Sequence, residues 1–568
     1  MEVRRQDFEQ AVRFDLTGEG VAYAVQPKFT FNRDLRKGDV FAVKVWLRGI
    51  KAVGTPDGLG RATVFVDNGD HKDGKLFYDN LSVETGWKEY VLPFVAPIDA
   101  LAGKGRVKIS LNETEQSLEL GPVSVINYGP DYPIEQLTRG LTTYEGRAAD
   151  APWRAEAAER IKKYRTGPIE VRVVDADGLP VVGASVAVEM GRHAFAFGSA
   201  VNTVLLTLPE EDFPAWSGET REWEDAKRYR EIVRQHFNRV TPTGALRPHS
   251  YFAHRDPENS PFPGFARNQG KAYDLLKPFR ETYGVEIRGH YLSWGATQHG
   301  AWADVGRSRD EHYRYMSRVL DRMPAECGDV VDEWDALNHP CGWGVSIEDL
   351  YGGLDMHVEI MRRARENAPP GTPMYINEGH VITERSRIPD YERVIKYLIE
   401  RGQAPDGIGM MAHFDRAQLT GMSDAWDVLE RFAKLAPRLE LTELDVSTSG
   451  DDELQADYLR DIMTLCFSHP RMDGIVMWGF WEGAHWKPET ALWREDWSVK
   501  PSGEAWLKLV KDDWWTTETV TTDADGRAVV PNAFFGDYEI AITSDGETRR
   551  HVASHMSDTP TRLRFEQE

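Results

Sequence analysis

The chain has 568 residues, and at roughly 100–200 residues per domain it holds several domains. Hydrophobic residues make up 41% and charged residues 28%, the balance of folded protein rather than disordered chain. No stretch approaches the roughly 20 apolar residues of a membrane helix, and a net charge of −23 without a long basic run argues against a phosphate-backbone binder. Neither a membrane nor nucleic acid is an expected partner. Cys327, Cys341 and Cys466 form neither a disulfide framework nor a zinc pattern. The opening Met1-Glu-Val-Arg-Arg-Gln-Asp has no apolar leader. Location stays open: extracellular or periplasmic if a leader was removed, otherwise cytoplasmic.

Residues 1–130 read as a β-sandwich. Phe41, Val43, Val45 and Leu47 alternate with Ala42, Lys44, Trp46 and Arg48, the period of a half-buried strand. Val64 and Val66, then Val107, Ile109 and Leu111, then Leu118, Leu120, Val123 and Val125 continue it, and turns such as Asp67-Asn-Gly-Asp predict hairpins. Residues 131–165 form a linker with a helix over Ala151 to Tyr164. Residues 166–194 carry two strands around Asp175-Ala-Asp-Gly, a turn repeated as Thr522-Asp-Ala-Asp-Gly within residues 511–568. These two β segments, on either side of the middle region, are expected to pair into one small sandwich.

Residues 195–510 alternate short apolar runs with helical segments, among them Glu222 to Phe237, Arg307 to Met323, Ser346 to Asn367 and Asp452 to Phe467. That alternation predicts an α/β fold, a (β/α)8 barrel whose site lies at the C-terminal ends of its strands. The strand ends carry Asn202, Arg247, His290 with Trp294, Asn338 with His339, Asn377 with Glu378, His413, Glu443 with Asp445, and Trp478, Trp481 and Glu482. Flat aromatic faces at such a mouth suit sugar rings, and large core residues are the plain alternative.

The strand-end motifs Ile287-Arg-Gly-His-Tyr-Leu-Ser-Trp, Trp334-Asp-Ala-Leu-Asn, Gly407-Ile-Gly-Met-Met-Ala-His and Leu441-Thr-Glu-Leu-Asp-Val resemble, in type and order, those of glycoside hydrolase family 10, the xylanase-type barrels. The sandwich's closing Leu118-Glu-Leu-Gly-Pro-Val-Ser-Val-Ile-Asn resembles the last strand of jelly-roll carbohydrate-binding modules attached to glycosidases. The first resemblance implies retaining hydrolysis of a carbohydrate, with two carboxyl groups about 5–5.5 Å apart and no cofactor or metal. It implies Glu443 as nucleophile, His413 as its hydrogen-bond partner and Asp445 as support behind. It also implies Asn338 on the sugar 2-hydroxyl, His290 and Trp294 lining the nonreducing side, and Trp478 and Trp481 as floor and wall. Arg247, Asn202, Asn377, Glu378 and Glu482 complete the expected substrate surface. For each of these residues, ordinary packing or a buried ion pair is the structural alternative.

Five positions depart from the family. The acid/base glutamate that should follow Asn338 is His339, and Thr243, Gly244, Gly295 and Met411 replace other polar residues that grip xylose. An altered sugar subsite is therefore expected. Imidazole titrates near neutrality and suits proton donation. The alternatives are that Glu378 or Glu482 has taken the proton, or that the barrel binds glycan without cutting it. A third function, a metal-dependent barrel hydrolase, is raised by His290, His339, His380, His413 and His485, although the first strand, Phe195-Ala-Phe-Gly-Ser-Ala, lacks a His-x-His pair.

Overall fold

The computed structural model describes residues 8–566, apart from 9, 20, 54–58, 70–73, 139–142, 214–222, 257–266, 295–307, 343–345, 417–418, 449 and 558. The N-terminal region folds into strands β1 (Val12–Thr17), β2 (Lys28–Thr30), β3 (Val40–Ala52), β4 (Gly60–Asp67), β5 (Lys75–Val83), β6 (Lys88–Val95), β7 (Arg106–Ser110) and β8 (Glu115–Gly129). They form two four-stranded antiparallel sheets, ordered β1-β8-β3-β6 and β2-β7-β4-β5. The alternation read in β3 is the reason: Phe41, Val43, Val45 and Leu47 are buried between the sheets with Val64, Val66, Ile109 and Leu118. Burying each such side chain is worth about 1.5–3 kcal/mol.

The linker helix, α1 (Pro152–Arg165), docks on the barrel helix Asp452–Ser468, where Arg154 clamps the buried Asp461 and Tyr144 donates to it at 2.7 Å. β9 (Thr166–Val174) and β10 (Ser185–His193) follow.

The middle of the chain is a closed barrel of eight parallel strands: β11 (Ala196–Val201), β12 (Arg239–Pro242), β13 (Glu286–Gly289), β14 (Glu333–Asn338), β15 (Met374–Glu378), β16 (Gly407–Asp415), β17 (Leu439–Ser447) and β18 (Met472–Met477). β18 pairs back with β11 to close it. The helical stretch read over Ser346 to Asn367 is two helices, Ile347–Tyr351 and Asp355–Asn367. Gly352 and Gly353, with φ of 72° and 155°, end the first one, because only glycine holds such backbone cheaply. Inside, the barrel is ionic at its lower end. Arg239 and Arg288 lie between Glu333 and Glu440, with Arg239 Nη1 3.0 Å from Glu333 Oε1 and Arg288 Nη1 2.8 Å from Glu440 Oε2. Buried charges of this kind persist only when paired.

After the barrel come β19 (Thr517–Thr521), β20 (Arg527–Phe534), β21 (Gly536–Ser544), β22 (Glu547–His555) and β23 (Thr561–Glu566). They join the strands that precede the barrel, giving one sheet β19-β10-β21-β22 and another β20-β9-β23. The repeated Asp-Ala-Asp-Gly turn is built twice in one way. Asp175 Oδ1 accepts from Asp177 N and Leu179 N, and Asp523 Oδ1 accepts from Asp525 N and Arg527 N.

Candidate active site

Successive side chains on a strand alternate faces, so Glu443 and Asp445 of β17 point the same way. The register pairs Met411 with Glu443 and His413 with Asp445, after a bulge between Met410 and Met411. His413 of β16 therefore lies between the two carboxylates. Its Nε2 is 3.0 Å from Glu443 Oε2 and its Nδ1 is 2.8 Å from Asp445 Oδ2. Burial works against an imidazolium, but Asp445 and Glu443 overcome it and raise His413 to about 9. In turn Asp445 falls to about 2, held by His413 and Lys487 against its own burial. Glu443 is 5% exposed, and desolvation alone would raise its carboxyl. The hydrogen bond from His413 and the fields of His290, His413 and His339 instead bring it below the ordinary value. At neutral pH it is an anion.

The facing wall comes from the ends of β14 and β15, where Asn338 pairs with Asn377 in register. Asn377 Nδ2 donates to both Asn338 Oδ1 and Glu443 Oε1 at 3.0 Å, while Thr442 Oγ1 donates to Asn377 Oδ1 at 2.6 Å. One buried amide thus ties the two walls together. His339 follows Asn338 with φ of 52°, the left-handed region, so its side chain leaves the strand direction at the mouth. Its Nδ1 lies 3.0 Å from Glu378 Oε1, and its ring stacks on Trp294 with centroids 5.3 Å apart. Glu378 is fully buried but also accepts from Cys341 N at 2.8 Å and Gly379 N at 2.9 Å. Those bonds and His339 keep its carboxyl below the usual range. Glu378 is thus a carboxylate held ionised against the His339 ring.

Beneath these walls His290 Nδ1 meets Asp335 Oδ2 at 2.8 Å, and Asp335 also binds Arg288 of the ionic floor. Trp478 lies edge-on to His290, 5.2 Å away, and 6.2 Å from His413. The structure thus brings together Glu443, Asp445, His413, Asn377, Asn338, His339, Glu378, Trp294, His290 and Trp478.

Four other expected residues have local partners of their own. Asn202 caps a short helix, its side chain accepting from Val204 N and Leu205 N. Arg247 occupies the N-cap position of helix Pro248–Arg255. Trp481 is buried, stacks on Trp497 at 4.2 Å and donates to Glu495 O, so it is a packing residue behind the mouth rather than its wall. Glu482 accepts from Glu495 N at 3.1 Å and lies 3.6 Å from Lys500 Nζ. Gly295 lies outside the described residues.

Two residues of the site went unnoticed in the sequence. Trp486 is 55% exposed, packs edge-on to His413 at 4.9 Å and donates from Nε1 to Asp445 Oδ2 at 2.9 Å. Lys487 is buried between Asp415 and Asp445. The signal for Trp486 in the sequence is a third tryptophan after Trp478 and Trp481, in a stretch rich in aromatics. Among the described residues no three His, Cys, Asp or Glu side chains are grouped so as to hold a metal ion. His290, His339, His380 and His413 each turn a ring nitrogen onto a carboxylate, and His485 accepts from Lys487 N.

The mouth of the eight-stranded barrel thus gathers a buried carboxylate, partnered by a histidine and an asparagine, and a set of aromatic rings. The sequence profile of Glycosyl hydrolase family 10 matches residues 213–508, more than half of the chain, which therefore belongs to that family. Anti-sigma-I factor RsgI6 of Acetivibrio thermocellus is 26% identical over 74% of this chain and 51% of its own length. Endo-1,4-beta-xylanase 1 of Arabidopsis thaliana is 24% identical over 76% of this chain and 42% of its own length. The chain thus spans about half or less of these curated relatives. Among solved structures, native xylanase 10B from Thermotoga maritima is 21% identical with a TM-score of 0.46, covering 56% of this chain and 96% of that one.

Proposed function

We propose that this protein is a retaining glycoside hydrolase acting on a xylan-like polysaccharide or oligosaccharide, with Glu443 as nucleophile and His339 as acid/base. The observation that carries the proposal is the row Asp445–His413–Glu443, joined through Asn377 to Asn338 beside His339. Glu443, kept anionic by its neighbours, attacks the anomeric carbon as the glycosidic C–O bond breaks. The departing oxygen takes the proton of the His339 imidazolium. In the second step neutral His339 removes a proton from water, which attacks the same carbon and frees Glu443. The carboxylate of Glu378 on Nδ1 fixes the ring, and Nε2 is the nitrogen that exchanges the proton with the substrate in this reading. Asn338 hydrogen-bonds the sugar 2-hydroxyl, and Trp294, Trp478 and Trp486 give the ring its apolar contacts. Replacement of the acid/base carboxyl and of polar groups at Thr243, Gly244 and Met411 makes the sugar subsite differ from that of plain xylanases.

The test is incubation of the full chain with a panel of aryl glycosides and polysaccharides, with Glu443→Gln as control. Turnover that disappears in the variant, with an aryl 2-deoxy-2-fluoroglycoside trapped as an ester on Glu443, supports the reading. A second reading, glycan binding without cutting, is favoured by the histidine at the acid/base position and by the relative named an anti-sigma factor. Binding of oligosaccharide with no turnover of any activated glycoside would establish it over the first.

A further inference from the structure

Strand β5, at the edge of the N-terminal sandwich, meets the barrel at the nucleophile wall. Asn80 Nδ2 donates to Asp415 Oδ2 at 3.1 Å, on the last residue of β16. The other oxygen, Asp415 Oδ1, lies 3.4 Å from Lys487 Nζ. Tyr78, two residues before Asn80 on the same face of β5, packs against that ammonium. Lys487 Nζ is 5.4 Å from its ring centroid and hydrogen-bonds with its phenol. Next to these contacts, Arg416 reaches into the sandwich, donating to Val91 O at 2.7 Å and lying 3.7 Å from Asp79 Oδ2.

What Lys487 does on its other side gives these contacts their meaning. Its Nζ is 4.6 Å from the Trp486 ring centroid and 3.9 Å from Asp445 Oδ1. That oxygen is buried and has no hydrogen-bond donor, so the ammonium is the cation facing it. Signs therefore alternate along a line from the sandwich to the reacting carbon: Lys487 positive, Asp445 negative, His413 positive, Glu443 negative. The other titratable groups facing this line are Asp415, Glu489 and Lys75 around Lys487, His485 beside Asp445, and His290 and His339 beside Glu443. Between groups as buried as Lys487 and Asp445, a charge displaced by an ångström changes its neighbour's energy strongly.

We propose that the N-terminal sandwich is part of the reacting centre: Tyr78 and Asn80 are positioning residues that hold Lys487 and Asp415, and through them the row Asp445–His413–Glu443. This rests on the reading of Glu443 as nucleophile. The sandwich is then no detachable appendage but the outer support of the wall that carries the attacking group.

The test uses the full chain with Tyr78→Phe, Asn80→Ala and their combination, and Lys28→Ala on the exposed strand β2 as control. In the combined variant kcat is expected to fall about 10- to 100-fold, the range for misplaced catalytic groups, while KM stays within about twofold. The acidic limb of the pH profile moves to higher pH, because Asp445 and Glu443 take up protons more readily when their cations loosen. The NMR titration of the His413 ring moves by at least about half a pH unit, while Lys28→Ala matches the parent in every measurement. An unchanged kcat, or a fall with neither the limb nor the His413 titration displaced, would overturn the proposal. Should the parent turn over no glycoside, the hydrolase reading fails, and the His413 titration alone decides this one.

Discussion

The two walls of the barrel mouth each hold a histidine against a carboxylate, yet they are wired differently. On the β16–β17 side His413 is gripped at both ring nitrogens by Glu443 and Asp445, and every protonation state there is displaced far from neutrality. On the β14–β15 side the Nδ1 of His339 rests on Glu378, whose remaining acceptor capacity is spent on Cys341 N and Gly379 N. A carboxylate that has to be unprotonated when it attacks is served by the first arrangement. A group that must give up and regain a proton is served by the second, where a single carboxylate anchors Nδ1. In the proposed mechanism, this unequal partnering of like residues separates the attacker from the proton carrier.

Four changes sharpen or break this contrast. The largest effect is expected from Glu443→Gln, which removes the anion at the end of the row. Turnover of every glycoside should fall by at least about 10³-fold, with circular dichroism and the unfolding midpoint close to the parent. Residual activity within a few fold would show that attack does not come from this wall. Next is His339→Ala. On natural glycan, where the departing oxygen needs a proton, the loss should be about 10²–10⁴-fold, and the alkaline limb set by His339 should vanish. An aryl glycoside with a good leaving group should lose far less in its first step. Equal losses on both would deny His339 the proton.

Glu378→Gln should be milder, about 10-fold in kcat, by setting an amide where a carboxylate faces the N–H of His339. Loss of a charged hydrogen bond costs about 1.5–3 kcal/mol, read from urea unfolding. The smallest effect is in the parent's own stability against pH. His413 is raised to about 9 in the fold, so its contribution is complete below its unfolded value near 6.5 and disappears as pH rises through about 9. Asp445, lowered to about 2, behaves oppositely: its contribution is present above its unfolded value near 3.9 and disappears as pH falls through about 2. Unfolding midpoints measured across the alkaline range should therefore decline, and Glu443→Gln should decline less steeply.

Much of this was legible because it is local. The barrel could be read from alternating strands and helices, and β17 with its i, i+2 acids from six consecutive residues. What escaped depends on distant chain segments or loop direction. Trp481 and Trp486 are both plausible mouth residues by composition, and only the path of the loop after β18 sends the first beneath Trp497 and the second over His413. Asn202 ends a strand as expected, but its side chain is consumed by the helix that begins there. By sequence Glu378 is an acid at a strand end, and its partners His339, Cys341 N and Gly379 N come from loops whose path the sequence does not give. No periodicity in residues 75–80 announces that they meet Asp415 and Lys487.

The sandwich shared by the two flanks of the barrel also sets a schedule for biosynthesis. Ala184 and its partner Thr522 are 338 residues apart, and ribosomes add roughly 5–20 residues per second. For about 20–70 seconds, then, β9 and β10 have left the ribosome without the strands they need, their Ile169, Val171, Val186 and Val188 faces uncovered. The barrel must close in that interval beside two unpaired, sticky strands. A nascent chain stalled before residue 517 should accordingly be a far better client for chaperones than one released at full length.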